Sequence, residues 1–182
     1  PIYAAAAAHN LPILHHSMTW VAPYFPGYRD MDDNRMLARL CSHPWGAMKF
    51  MGSMFGSGVL DRYPDLRVGI LESGVGWLPF WLRRLEEQID YVGFTANLQQ
   101  KVNEYVADGR FFASIEMTED EDMIKMVTDF IGDHVLMYAS DYPHSECEFP
   151  DSPSRVMGWS SISESSMKKL MWENAARCFG RK

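Results

Sequence analysis

The sequence predicts an α/β protein with parallel strands, and three observations carry that expectation. Helical and strand-like patterns alternate along the chain, four short apolar runs end in histidine or acidic side chains, and no glycine-rich phosphate loop follows any of those runs. Alternation of this kind implies right-handed crossovers between parallel strands. Chemistry-bearing side chains gathered at the carboxyl ends of strands are the habit of a (β/α)8 barrel. The missing phosphate loop places the doubly wound open sheet second.

The elements follow in order. Tyr3–Ala8 reads as the end of a helix, because alanine is the best helix former, and His9-Asn10 stops it. Leu11-Pro12-Ile13-Leu14 is a short apolar run ending in His15 and His16. Residues 18–33 mix two prolines, a glycine and several aromatics without a period, which predicts a long functional loop. A helix is expected over 34–41, a break at Ser42-His43-Pro44, and a second helix over 45–60. Leu66–Leu71 is a second buried strand ending at Glu72. The helix opened by Gly76-Trp77-Leu78-Pro79 runs to about Asp90 with Trp77, Trp81, Leu85 and Ile89 on its core face. Residues 92–108 predict a loop and a short helix.

Phe111–Glu116 is a third strand with a carboxylate at its exit. Thr118 and Glu121 have capping-box spacing. The helix they would start buries Met123, Val127, Phe130 and Ile131 and closes at Gly132. Val135–Ala139 is unbroken apolar sequence, the mark of a strand covered on both faces. It surfaces at Ser140-Asp141-Tyr142-Pro143-His144, where Pro143 cannot continue a ladder. Residues 145–160 predict an irregular loop. Ser163 then caps a last helix, to Cys178, burying Met167, Leu170, Met171 and Cys178.

Composition narrows the function classes. Of 182 residues, 47% are hydrophobic, enough for a sizeable core, and the formal charge of −7 argues against nucleic acid and anionic membrane surfaces as partners. No apolar run is long enough to span a bilayer. Cys41, Cys147 and Cys178, an odd number without close pairing, fit reduced thiols in the cytoplasm. The opening residues, PIYAAAAAHN, have no basic region of a leader and start inside a helical pattern, as a chain begun partway through a domain would.

A carboxylate placed where a buried strand surfaces is costly unless paired, hydrogen-bonded or bound to metal, which makes Asp141 a candidate metal ligand. The segments LPILHHS, GVLDRYPDLRVGILESGVGWLPFWLRRL, SDYPH and ENAARCFG, in that order, resemble the carboxyl-terminal half of the amidohydrolase-related (β/α)8 barrels. That branch includes aminocarboxymuconate semialdehyde decarboxylase and the resorcylate decarboxylases. The resemblance implies that the four runs are strands five to eight of the barrel, within a single domain over 1–182 whose first half must come from elsewhere. It also implies one divalent metal ion, zinc foremost with manganese or iron as alternatives. His16 matches the family's strand-five histidine and Asp141 its strand-eight aspartate. His15 competes with His16, since neighbours on a strand face opposite ways.

Two departures stand out. The first-strand ligands, an His-x-His or Glu-x-His pair in the family, are not in this sequence. The family's strand-six histidine is Glu72 here, a carboxylate able to serve as general base or ligand. His144 is expected to bind substrate or to orient Asp141. Glu116 reads as structural, His43 as a helix-start residue, and Trp20, Tyr24, Phe25 and Tyr28 as an aromatic wall. The expected function is a metal-dependent hydrolase of small molecules, with activated water attacking a carbonyl, in a homo-oligomer. A non-oxidative decarboxylase or hydratase is the alternative enzyme, and a non-catalytic barrel used for binding or assembly is the alternative of another class.

Overall fold

The four apolar runs pair side by side in chain order as one parallel sheet: β1 (Ile13–His16), β2 (Val68–Leu71), β3 (Phe111–Ser114) and β4 (Leu136–Met137). The computed structural model describes residues 1–16, 31, 34–96 and 98–181. In register, His16 lies beside Leu71, Ile70 beside Ala113, and Ser114 beside Met137. The fold is the expected one, α/β with four consecutive parallel strands of a (β/α)8 barrel.

Helices fill the crossovers: α1 (Ile2–Ala8), α2 (Arg35–Gly56), α3 (Val59–Arg62), α4 (Leu78–Val92), α5 (Val102–Ala107), α6 (Glu121–Ile131), α7 (Ser152–Met157), α8 (Glu164–Lys168) and α9 (Asn174–Cys178). Strand alternation sorts the core into two faces. Val68, Ile70, Phe111, Ala113 and Leu136 point to the helix layer, against Met51 and Phe55 of α2, Leu82 of α4 and Val127 of α6. Burying each such side chain contributes roughly 1.5–3 kcal/mol. Leu14, Leu71, Phe112 and Met137 point the other way and meet Ala175 and Cys178 of α9. Gly69 sits on this second face because a Cβ there would stand 2.8 Å from the Phe112 carbonyl oxygen and 2.9 Å from Leu14 Cδ2.

Several local expectations need correction. Pro44 does not divide the segment: α2 runs unbroken through it, with Asn34 capping Leu37 N–H at 3.1 Å. An internal proline costs about 3 kcal/mol, offset here by burial of Ala47, Met51, Met54 and Phe55 in the turns that follow. Asp120, not Thr118, caps α6, accepting from Met123 N–H at 3.3 Å. The buried face of α6 is correspondingly Ile124, Val127 and Ile131, leaving Met123 and Phe130 exposed. Phe130 is covered instead by the Arg83 guanidinium, 5.2 Å from its ring centre.

The last strand is shorter than its apolar run, since Tyr138 N–H leaves the sheet for the Leu170 carbonyl at 2.8 Å. That carbonyl belongs to a π-helical turn, Lys169–Glu173, which joins α8 to α9. Ser163 caps α8 as expected, accepting from Ser166 N–H. The expected loop over 145–160 contains α7. The loop and aromatic wall expected within 18–33 fall almost entirely outside the described residues. Among the described residues no helix is long and apolar enough to cross a membrane.

Candidate metal centre

Alternation on β1 separates the two histidines. His15 turns to the helix layer, where its ring stacks on Phe50 of α2 at 5.3 Å and 19°. Burial, and then the neighbouring His16, lowers its pKa from the ordinary histidine value. His16 follows Leu14 to the inner face, and its Nε2 stands 2.8 Å from Glu72 Oε2.

Glu72 ends β2 in a left-handed conformation, φ 53°, which costs an ordinary L-residue roughly 1–2 kcal/mol. Two hydrogen bonds hold its backbone there. His43 Nδ1–H of α2 donates to the Glu72 carbonyl at 3.0 Å, and Glu72 N–H donates to Ser114 Oγ of β3 at 3.2 Å. Asp141, beyond β4, takes the same region with φ 57°. The turn that follows brings His144 back, its N–H donating to the Asp141 carbonyl at 2.9 Å. His144 Nδ1 then lies 3.1 Å from Asp141 Oδ2 and 3.6 Å from Glu72 Oε1.

Glu72, Asp141 and His144 therefore present one ligand atom each within 4.8 Å of one another. His16 joins through Glu72, and His15 is turned away. Asp141 Oδ2 is buried and accepts no hydrogen bond among the described residues, although His144 Nδ1 stands 3.1 Å away. An orphaned buried carboxylate oxygen beside a second carboxylate and two imidazoles suits a divalent cation with oxygen and nitrogen ligands.

A cavity of about 350 Å³ opens beside this cluster, lined by Glu72 and Asp141 together with Glu116, Glu119, Arg39 and Glu146. Glu119 accepts hydrogen bonds from Val75 N–H and Gly76 N–H, both at 2.7 Å, which tie the loop after β3 to the turn that leads into α4. Glu116 is pushed up to about 7, by burial first and then by the charges of Asp141 and Glu72. Arg39 Nη2 donates to Glu146 Oε1 at 2.7 Å and holds that carboxyl down at about 2.

Sequence reasoning did not single out Arg39, Glu146 or Glu119, and gave His43 only a local role. Their partners lie far away in the chain, 107 residues for Arg39 and Glu146, so no local spacing announces them.

Comparison with known proteins identifies the family and the fold. A family model described as amidohydrolase matches residues 1–181. A curated gamma-resorcylate decarboxylase from Polaromonas sp. is 24% identical over 131 residues, covering 69% of this chain and 38% of its own length. The solved structure of 5-carboxyvanillate decarboxylase from Sphingomonas paucimobilis superposes with a TM-score of 0.80 at 22% identity, over 100% of this chain and 53% of that one. A dihydroxybenzoic acid decarboxylase from Polaromonas sp., solved with bound manganese and 2-nitroresorcinol, gives a TM-score of 0.79 at 20% identity, over 99% of this chain and 53% of that one. The chain spans about half the length of these solved structures.

Proposed function

This chain belongs to the amidohydrolase family, and from that premise we propose that it supplies the carboxyl-terminal half of the active site of a metal-dependent decarboxylase acting on small aromatic acids. The observation that carries the reading is the convergence of Glu72, Asp141 and His144 within 4.8 Å, with His16 beside Glu72 and an open cavity alongside. The curated relative, a gamma-resorcylate decarboxylase, favours decarboxylation over hydrolysis.

Asp141 and His16 would hold one divalent ion, with Glu72 as a further ligand or as their hydrogen-bonding partner and with residues of the barrel's other half completing the set. Manganese, bound in the dihydroxybenzoic acid decarboxylase, is the first candidate, and zinc stands second. When bound, the ion would supply a Lewis acid that holds and polarises a substrate oxygen next to the breaking bond. The remaining work falls to the chain. Loss of carbon dioxide leaves an electron pair on the ring carbon, which must take up a proton. His144, poised between Asp141 and Glu72, can hold that proton at Nδ1 and pass it on. Glu72 can accept a proton at either oxygen, with His16 Nε2 on one and His144 Nδ1 near the other.

The test uses full-length protein loaded with manganese, offered 2,6-dihydroxybenzoate and related hydroxybenzoates while carbon dioxide release is followed. Release that disappears in Glu72→Gln, by about a hundredfold or more, is the expected result. Turnover confined to esters, lactones or amides, with none of the aromatic acids, would contradict it and return the assignment to a hydrolase.

A further inference from the structure

We propose that Arg39 is the residue that recognises the carboxylate of the incoming substrate, with Glu146 occupying its guanidinium until that substrate arrives. The inference rests on the aromatic-acid reading above and adds the residue that selects for it. Its warrant is charge. Among the described residues lining the cavity, Glu72, Glu116, Glu119, Asp141 and Glu146 are acids, and Arg39 is the only lysine or arginine. An organic anion entering such a space meets repulsion on most sides, and a single cation ion beside Asp141 balances only part of it. A guanidinium is the side chain whose planar fork matches a carboxylate.

Arg39 is placed for this role. It stands in the second turn of α2, at the carboxyl rim of the sheet, and its side chain is 52% exposed although it lines the cavity. Its side chain lines the same cavity as Glu72 and Asp141. Its partner, Glu146, sits five residues past Asp141 on the loop after β4, with Nη2 to Oε1 at 2.7 Å. That pair joins α2 to the loop through a partly exposed contact, which water and a competing carboxylate can reach. Glu146 also accepts from Ser145 Oγ at 2.8 Å and so keeps a hydrogen bond when Arg39 leaves. An acid substrate can thus replace Glu146 at Arg39 by exchanging one carboxylate for another, leaving Glu146 with its Ser145 hydrogen bond.

Direct binding to the full-length, manganese-loaded protein tests this, with 2,6-dihydroxybenzoate and its uncharged carboxamide as probes. Arg39→Met is expected to weaken the carboxylate by about 10–100-fold, the loss that follows removal of a charge-assisted hydrogen bond, and to leave the carboxamide within about twofold. Glu146→Gln is expected to tighten the carboxylate several-fold, because the resting competitor is gone, and this arm stands even if Arg39→Met folds poorly. Equal weakening of both probes, or a Glu146→Gln variant that binds the carboxylate no better, would overturn the assignment and leave the pair a latch between α2 and the loop. If the unsubstituted protein binds neither probe at millimolar concentration, the aromatic-acid reading itself fails; if it binds the carboxylate and Arg39→Met retains the preference, only Arg39 is wrong.

Discussion

The two ends of the sheet are built to opposite rules. At the amino end, backbone carbonyls left by the strands and by α9 are met by long donors. Arg67 Nε donates to the Cys178 carbonyl and Nη2 to the Asn10 carbonyl, each at 2.7 Å. Arg177 Nη2 donates to the His134 carbonyl at 2.7 Å, and buried Asn174 Nδ2 to those of Asp133 and Leu136 at 2.9 and 2.7 Å. One atom there, Asn174 Oδ1, has no hydrogen-bond partner among the described residues. At the carboxyl end, carboxylates crowd one another, Asp141 Oδ2 is orphaned, and Glu72 and Asp141 both hold left-handed backbone. Asn10, at the amino end, is also left-handed, but asparagine tolerates that region. One rim spends its polar groups on stability. The other leaves carboxylates facing one another, as the proposed metal site requires.

Substitutions at the two rims should therefore separate binding from folding. The largest effect is expected for Asp141→Ala, which should lower manganese affinity of the full-length protein by more than about a hundredfold, beyond what loss of an outer partner costs. Its metal-free unfolding free energy should not fall, because the change removes one of several repelling charges. Calorimetric titration and denaturant unfolding read both quantities. A metal-free Asp141→Ala protein markedly less stable than its parent would put the two rims on the same footing.

Asn174→Ala should behave in reverse. It strips donors from two carbonyls and should cost about 2–3 kcal/mol of unfolding free energy, with manganese affinity within twofold of the parent. A drop in affinity as large as that of Asp141→Ala would erase the contrast.

The smallest effect concerns pH. Glu116 stands at about 7 in the folded chain against an ordinary 4.5, so between those values the folded state carries the extra proton. Stability of the metal-free protein should then fall as pH rises from about 4.5 through about 7. Glu116→Gln should flatten that slope and gain at most about 2 kcal/mol at pH 8, after allowance for solvent screening. Parallel pH profiles for the two proteins would show that the crowding of carboxylates has no energetic weight.

Much of this was legible in the sequence where the signal is local. Apolar runs ending in charged side chains revealed the strands, their parallel order and the residues Glu72, Asp141 and His144 at one rim. Two neighbouring histidines announced a register problem that the letters alone left open, because both are histidine and only the neighbours across the sheet and on α2 distinguish them. Pro44 and the Thr118–Glu121 spacing misled for a common reason. Each local preference is worth a few kcal/mol at most, and tertiary burial of α2, or a better-placed Asp120, outweighs it. Arg39, Glu146 and Glu119 were invisible because their meaning lies in contacts made across the fold.

The most direct measurement is the metal content of full-length protein carrying His15→Ala, His16→Ala or Asp141→Ala in turn, purified without chelator and analysed by elemental emission. Near one equivalent in the parent and in His15→Ala, with less than about a tenth in the other two, is the expected result. Full metal in His16→Ala and Asp141→Ala, or loss only in His15→Ala, would contradict the placement of a cation on the inner carboxyl rim.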